Sequence, residues 1–136
     1  MAIQSEEKAF ELIRLYIEGW KQNNLKMIIS ALKEDCIVIE SHGPTYHGIN
    51  DIKKWFNFWT EANSKVLKWN IISLFFCEKE QVAFCEWDFS CLSNETQYDL
   101  PGISIVKFSD QKISFIHEYR MTQTAYKWEE SKLDSG

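Results

Sequence analysis

The spacing of apolar residues changes once along the chain, near residue 65, and this change limits the fold more than any other feature. Over residues 5–23, 25–32 and 49–62, apolar side chains recur every three or four positions, which predicts three amphipathic helices. Beyond residue 65 they alternate, which predicts strands at 66–77, 82–92, 98–108 and 113–122. The run CIVIES at 36–41 predicts one more strand, between the second and third helices.

The connections between the last four predicted strands are short and polar, so those strands should be antiparallel neighbours. Helices that precede a strand meander are typical of an α+β domain in which helices cover one face of an antiparallel sheet. A chain of 136 residues is long enough for one core and too short for two. We therefore predict one domain over residues 1–126 and a polar tail over residues 127–136.

Charge and hydropathy exclude several classes of partner. The chain has 20 acidic and 15 basic residues and a formal charge of -5, so neither nucleic acid nor a membrane surface is an expected partner. The charged start of the sequence has no apolar stretch of signal-peptide type, which predicts a cytoplasmic protein. The four cysteines form no CxxC pair and no histidine lies at zinc-finger spacing, so we expect free, buried thiols and neither a metal nor a cofactor.

Aromatic residues make up 15% of the chain, enough to fill a core or to line a cavity. Trp20 in the first predicted helix and Trp55 and Trp59 in the third lie at helical spacing. Such a stripe is typical of a helix face that packs on a sheet. The same three side chains could also line a pocket for a flat, apolar ligand, and the sequence leaves both interpretations open.

Several motifs, in this order, resemble the SnoaL-like branch of the nuclear transport factor 2-like (NTF2-like) superfamily. They are EDCIVIE at 34–40, the YHG turn at 46–48 before a helix, CEWDF at 85–89, LPGIS at 100–104, and QKI at 111–113 leading to HEY at 117–119. The resemblance extends over about residues 8 to 122. It implies a cone-shaped, cystatin-like α+β fold, an apolar pocket closed by the helices, and a homodimer formed through the outer face of the sheet.

The superfamily includes polyketide cyclases, ketosteroid isomerase and dehydratases, so the fold alone does not define a reaction. Glu40 lies at the position of the general base of ketosteroid isomerase, and strand alternation places it on the same side as Val38. A partly desolvated carboxylate there could accept a proton from carbon. The alternative is a solvated carboxylate at a strand end. His42 and His117 are the candidate proton donors, although a histidine in a loop such as that of His42 is often simply exposed.

Glu86 and Asp88 lie two residues apart on one side of a predicted strand, where a carboxylate pair could act on a ligand, and Tyr119 belongs to the polar cluster of the last strand. The alternative for this cluster is an ion pair of Arg120 with Glu86 or Glu118 at the sheet surface. We therefore predict a pocket for a small apolar molecule and cofactor-free isomerase, cyclase or dehydratase chemistry. The alternative function is a ligand-binding or dimerisation module without catalysis.

Overall fold

The computed structural model describes residues 4–130. Within this part of the chain there are three α-helices, six strands and a short 3-10 helix at Trp128–Glu130. The helices are α1 (Glu6–Lys21), α2 (Leu25–Ser30) and α3 (Gly48–Glu61). The strands are β1 (Leu32–Ile39), β2 (Thr45–His47), β3 (Lys65–Cys77), β4 (Val82–Ser93), β5 (Thr96–Ser109) and β6 (Lys112–Arg120).

The first two helices begin at capping side chains. The hydroxyl of Ser5 accepts a hydrogen bond from the Lys8 backbone N–H at 3.2 Å, and the side chain of Asn24 accepts one from that of Met27 at 3.2 Å. Each bond satisfies a backbone donor that has no partner within its helix. Between the two helices Asn23 adopts a left-handed backbone with φ of 50°, which an asparagine tolerates. The chain therefore turns sharply, and α2 packs against α1.

All six strands form one sheet in the order β2-β1-β6-β5-β4-β3. Neighbouring strands are antiparallel except for β1 and β6, which are parallel and are joined by the long connection that a parallel pair requires. The core lies between the helices and one face of this sheet, and its buried side chains include Ile13, Ile17, Ile28, Val38, Ile52, Ile113 and Ile116. The predicted α+β class, with helices packed against a curved and mostly antiparallel sheet, is confirmed.

The segment from residue 32 to 47 differs from its prediction. β1 begins at Leu32, earlier than the strand predicted at 36–41, so the charged residues 33–35 belong to this strand. The pairing of β1 with β6 shifts between Leu32 and Ile37, and Lys33 forms ion pairs with Asp35 and Asp110, each at 3.4 Å. The Gly-Pro loop leads directly into β2, which pairs with β1. Residues 33–35 are charged, and Gly43 and Pro44 directly precede β2. Hydrophobic spacing alone therefore did not predict strand at 32–35 or at 45–47.

The four cysteines are all free thiols, but they do not share one environment. Cys36, Cys85 and Cys91 are buried, and burial raises the thiol pKa of Cys36 to about 11. Cys77 is exposed at the end of β3, so the prediction of a buried thiol was wrong there. The predicted tail at 127–136 begins with the short 3-10 helix, and its last six residues lie outside the described part of the chain.

Candidate functional site

A cavity of about 510 Å³ lies between helices α1 and α3 and the inner face of the sheet. Its size is within the range of sites for small organic molecules. Aromatic side chains make up much of its wall: Tyr16, Trp20, Trp55, Phe58, Trp59, Trp69, Trp87, Phe89 and Tyr98. Two carboxyl groups, from Glu40 and Glu118, also line it. The cavity therefore combines a largely aromatic wall with a small number of polar groups.

The aromatic wall is a continuous network around Trp20. The rings of Trp20 and Trp55 are 4.5 Å apart, and Trp59 packs edge-on to Trp20 at 5.9 Å. On the sheet side, Trp69 contacts Trp87 at 6.1 Å and Tyr16 at 6.3 Å, both edge to face. Edge-to-face pairs hold rings in defined orientations because the positive ring edge meets the negative face. The structure thus brings together Trp20, Trp55 and Trp59, the three tryptophans predicted to contact a ligand.

Glu40 lies immediately after β1, in the loop that turns the chain into β2. The loop is closed by backbone hydrogen bonds from Glu40 N–H to the Pro44 carbonyl and from Gly43 N–H to the Glu40 carbonyl, both 2.9 Å long. Gly43 has a φ of +117°, which favours glycine at this turn. These constraints direct the Glu40 side chain to the cavity, as alternation from Val38 suggested.

The carboxylate of Glu40 has a short hydrogen bond to a tyrosine. The Tyr46 hydroxyl donates to Glu40 Oε1 at 2.6 Å, and the Tyr46 ring stacks on Trp55 at 4.1 Å with an interplanar angle of 6°. Burial and the adjacent Glu40 carboxylate hold the pKa of Tyr46 far above its usual value, so Tyr46 keeps its proton and remains a donor. His42 also lines the cavity, where it is an exposed residue of the loop at the rim.

Glu118 is the acidic residue that sequence reasoning assigned no site role. Its side chain lines the cavity, and burial, with a further contribution from the negative charge of Glu40, raises its pKa to about 8. Glu118 is therefore largely protonated at neutral pH and can donate a hydrogen bond or a proton. Its position two residues after Ile116 on the same side of β6 was visible in the sequence. What the sequence did not show was that this side faces a cavity.

His117 and Tyr119 lie on the opposite face of β6 from Glu118, since successive strand residues point to opposite faces. Their rings stack at 4.2 Å, and the Tyr119 hydroxyl lies 2.9 Å from His117 Nδ1. Neither side chain lines the cavity, and Tyr119 is 47% exposed. The structure therefore separates the predicted donor His117 and the predicted ligand residue Tyr119 from Glu40.

Glu86 and Asp88 are on that same outer face, on β4. The Ser73 hydroxyl donates to Glu86 Oε1 at 2.7 Å, and Lys68 forms an ion pair with Asp88 at 3.1 Å. The alternating side chains Cys85, Trp87 and Phe89 point inward instead, and Trp87 and Phe89 line the cavity. The predicted carboxylate pair thus lies outside the cavity. The ion pair that we considered for Arg120 is not formed among residues 4–130, where Arg120 instead lines the cavity.

Within the described residues, no group of three or more histidine, cysteine, aspartate or glutamate side chains is arranged to hold a metal ion. None of the helices within residues 4–130 is long and apolar enough to cross a membrane.

Helices packed on a curved six-stranded sheet, with an aromatic cavity between the layers, define a class of NTF2-like and cystatin-like α+β domains. The sequence matches the model of the SnoaL-like domain over residues 13–116. The chain belongs to the SnoaL-like domain family. A search of curated proteins gave no match.

Solved structures show the same fold at low sequence identity. A cystatin-like protein of unknown function from Methylobium petroleophilum is 18% identical, with a TM-score of 0.71 over 91% of this chain and 82% of that one. A candidate polyketide cyclase from Pseudomonas putida is 16% identical, with a TM-score of 0.73 over 84% and 92%. TerC, co-crystallised with polyporic acid, is 13% identical, with a TM-score of 0.70 over 85% and 92%.

Proposed function

We propose that the chain binds a small, mostly apolar organic molecule in this cavity and performs acid–base chemistry on it without a cofactor. The observation that carries the proposal is that two carboxyl groups with different surroundings, those of Glu40 and Glu118, line one aromatic cavity. Glu40 accepts a hydrogen bond from Tyr46, and Glu118 holds a proton near neutral pH. Two carboxyl groups whose environments separate their protonation are a common basis for an acid and a base at one site.

In this proposal Glu40 is the general base and removes a proton from carbon. Glu118 is the general acid and returns a proton to the same molecule, while His42 is a second donor at the rim. Such a transfer isomerises, cyclises or dehydrates a substrate with no change in its oxidation state. The similarity to a candidate polyketide cyclase and to TerC, which was crystallised with polyporic acid, supports a cyclic organic ligand.

Proton transfer from carbon can be tested before the natural substrate is known. Cyclic ketones that bind the protein, as detected by tryptophan fluorescence, would be incubated with it in D2O, and exchange of their α-protons would be followed by NMR. We expect Glu40→Gln to slow this exchange by roughly 100-fold or more, because general base catalysis contributes on that scale. Glu118→Gln keeps the proposed base, so it should slow the exchange less than Glu40→Gln does.

Glu34→Gln is the matched control, because Glu34 is an exposed carboxylate on β1, the strand that leads directly to Glu40. It should exchange ketone protons at the wild-type rate. Exchange at the wild-type rate by Glu40→Gln would remove Glu40 from the mechanism. Binding of ketones with no exchange by the wild-type protein would favour the non-catalytic ligand-binding module.

We also propose that a second copy of the chain covers the outer face of the sheet. Ile72, Phe75, Phe84 and Ile103 leave this face with exposed apolar side chains, between 37% and 63% accessible. Light scattering after gel filtration should give the mass of a dimer for the wild-type protein and of a monomer for Phe75→Glu. Phe58→Glu, which places the same charge at an exposed residue of the cavity wall, should remain dimeric. A monomeric wild-type protein would contradict this assembly.

A further inference from the structure

The cavity wall contains a basic side chain that has no partner in the described part of the protein. Among residues 4–130, Arg120 is the only lysine or arginine that lines the cavity, and it is exposed. Its guanidinium group forms no ion pair, side-chain hydrogen bond or cation–π contact within those residues. The chain has one other arginine, Arg14 on α1, which lies over the ring of Phe10 at 5.9 Å from its centroid.

The two carboxyl groups of the cavity leave Arg120 unpaired. Glu118 lies two residues before it on the same side of β6, about 7 Å away along the strand. Burial raises the pKa of Glu118 to about 8, so at neutral pH it lacks most of the negative charge that an ion pair needs. The Glu40 carboxylate accepts the Tyr46 hydroxyl instead, at 2.6 Å. Within residues 4–130, the positive charge of Arg120 is therefore left for a ligand.

The charge of Arg120 acts on a group inside the cavity. Cys91, on β4, lines the cavity and is only 7% exposed. Burial raises the thiol pKa of Cys91 to about 11 and the Glu40 carboxylate adds to this rise, whereas the positive charge of Arg120 lowers it. Because β5 lies between β4 and β6, the backbones of these two strands are about 10 Å apart. The guanidinium charge thus acts across β5, on the face of the sheet that lines the cavity.

Uncharged polar side chains accompany Arg120 at the exposed part of the cavity wall. His42 belongs to the loop between β1 and β2 and Asn94 to the turn between β4 and β5, and both are exposed. His42, Asn94 and Arg120 mark the opening of the cavity. The interior wall is different, since residues such as Trp69 and Trp87 are aromatic and buried. The cavity therefore has an apolar interior and a polar opening with one unpaired positive charge.

We propose that Arg120 binds a carboxylate group at the opening of the cavity, so that the ligand is a flat apolar molecule with one carboxylate at its end. The planar guanidinium group can donate two parallel hydrogen bonds to the two oxygens of a carboxylate. A doubly charged phosphate fits less well, because the Glu40 carboxylate in the same cavity repels each added negative charge. The proposal rests on the proposed function in one respect, that the cavity binds a small organic molecule.

The test compares probes of equal shape and different charge by titration calorimetry at pH 7 and low salt. They are 4-(2-naphthyl)butanoate, its uncharged primary amide, and the corresponding amine, which is a cation. We expect the carboxylate to bind the wild-type protein roughly fivefold to tenfold more tightly than the amide, between the effect of an exposed ion pair and that of a hydrogen bond to a charged group. Equal affinities for carboxylate and amide, or tightest binding of the amine, would overturn the proposal.

Two variants of Arg120 assign this preference to its guanidinium group. Arg120→Gln removes the charge, so it should bind the carboxylate and the amide with affinities within about twofold of each other. Arg120→Lys keeps the charge without the planar pair of donors, so it should retain a smaller preference. Arg14→Gln is the matched control, because it removes the same charge at an exposed residue that does not line the cavity, and it should keep the full preference. Full preference in Arg120→Gln would contradict the assignment.

Salt provides a second test in the unaltered wild-type protein. In about 1 M salt, where charges are screened over about 3 Å, the preference for the carboxylate should shrink, because Arg120 is exposed. A preference that salt leaves unchanged would contradict a contact with this side chain. If the carboxylate binds no better than the amide while Glu40→Gln still loses proton exchange with neutral ketones, the carboxylate site alone is overturned. Failure of these probes and of the ketones to bind overturns both proposals.

Discussion

At the scale of single residues, the hydroxyl of Tyr46 sets the position of the Glu40 carboxylate. The ring of Tyr46 is fixed by its stack on Trp55, so the direction of its O–H group is fixed as well. Glu40 itself follows the last residue of β1 and has no other side-chain hydrogen bond shown among residues 4–130. Tyr46 is therefore a positioning residue, which acts on a substrate only through Glu40.

Removal of this hydroxyl should affect proton transfer more than ligand binding. We expect Tyr46→Phe to lower the rate of ketone α-proton exchange by about tenfold, the effect of one lost hydrogen bond to a charged group. The KM for the ketone should change less than twofold, because the stacked ring remains. Tyr126→Phe, at an exposed tyrosine in the C-terminal segment, should leave both parameters unchanged. Wild-type kinetics for Tyr46→Phe would show that Glu40 needs no such support.

At the scale of elements, the contact between α1 and α2 depends on the missing side chain of Gly19. A Cβ atom at this position would lie 2.7 Å from Ile28 Cγ1 and 2.8 Å from the Ile28 backbone nitrogen. The second of these contacts is with backbone, so a change of side-chain rotamer cannot relieve it. Ile28 is fully buried in the core, and Trp20, next to Gly19 in α1, lines the cavity.

The substitution Gly19→Ala tests this packing, because the direction of the change in unfolding free energy distinguishes a crowded site from an open one. Alanine favours a helix over glycine by up to about 1 kcal/mol, so an uncrowded site would become more stable. We expect instead a loss of about 1–3 kcal/mol, because the clash with Ile28 outweighs the gain in helix propensity. Urea unfolding followed by circular dichroism would measure it, with Lys53→Ala on the exposed face of α3 as control. A more stable Gly19→Ala protein would show that α2 can move away from α1.

Strand alternation decides which side chains of the sheet face the cavity. In β6 the neighbours His117 and Glu118 differ by one position, and this alone places one on the outer face and the other in the cavity wall. In β4 the same rule separates Glu86 and Asp88 from Trp87 and Phe89. Alternation thus grouped the polar residues of each strand correctly by side. The residues predicted to form the site lie on the side that faces away from the cavity.

At the scale of the whole molecule, burial of Glu118 makes stability depend on pH. The pKa of Glu118 is about 8 in the folded protein and about 4.3 in an unfolded chain. Between these values the folded state binds a proton that the unfolded state does not, so unfolding releases it. The free energy of unfolding must then fall as the pH rises from about 4.5 to about 8, and level off above that range.

The variant Glu118→Gln should lose this slope, since its amide does not titrate. We expect urea unfolding at pH 5.5, 7 and 8.5 to show wild-type stability falling by up to about 1.4 kcal/mol per pH unit from this group. The variant should exceed the wild-type protein in stability at pH 8.5. The exposed carboxylate substitution Glu34→Gln should retain the wild-type slope. Parallel pH profiles for the wild type and Glu118→Gln would show that the Glu118 carboxyl is solvated.

Much of the fold could be predicted from the sequence because each element repeats one periodicity over many residues. Helices α1 and α3 and strands β3 to β6 were each found to within a few residues. The errors fall between residues 32 and 47, where Lys33 and Asp35 interrupt the apolar pattern of β1 and Pro44 directly precedes the three-residue strand β2. There, strand pairing with β6 and the closed loop stabilise an extended backbone that local sequence does not favour.

The sequence by itself determined the α+β class, the sides on which the strand residues lie, and the aromatic stripes of α1 and α3. It did so because periodicity is a local property of the chain. Only the tertiary structure decided which side of the sheet faces the helices, and so which polar residues share the cavity. It placed Glu118 in the same cavity as Glu40 and left His117 outside, and it buried the Tyr16 hydroxyl and the indole N–H groups of Trp20 and Trp69. Protonation and unpaired donors depend on burial, which arises only when distant elements pack together.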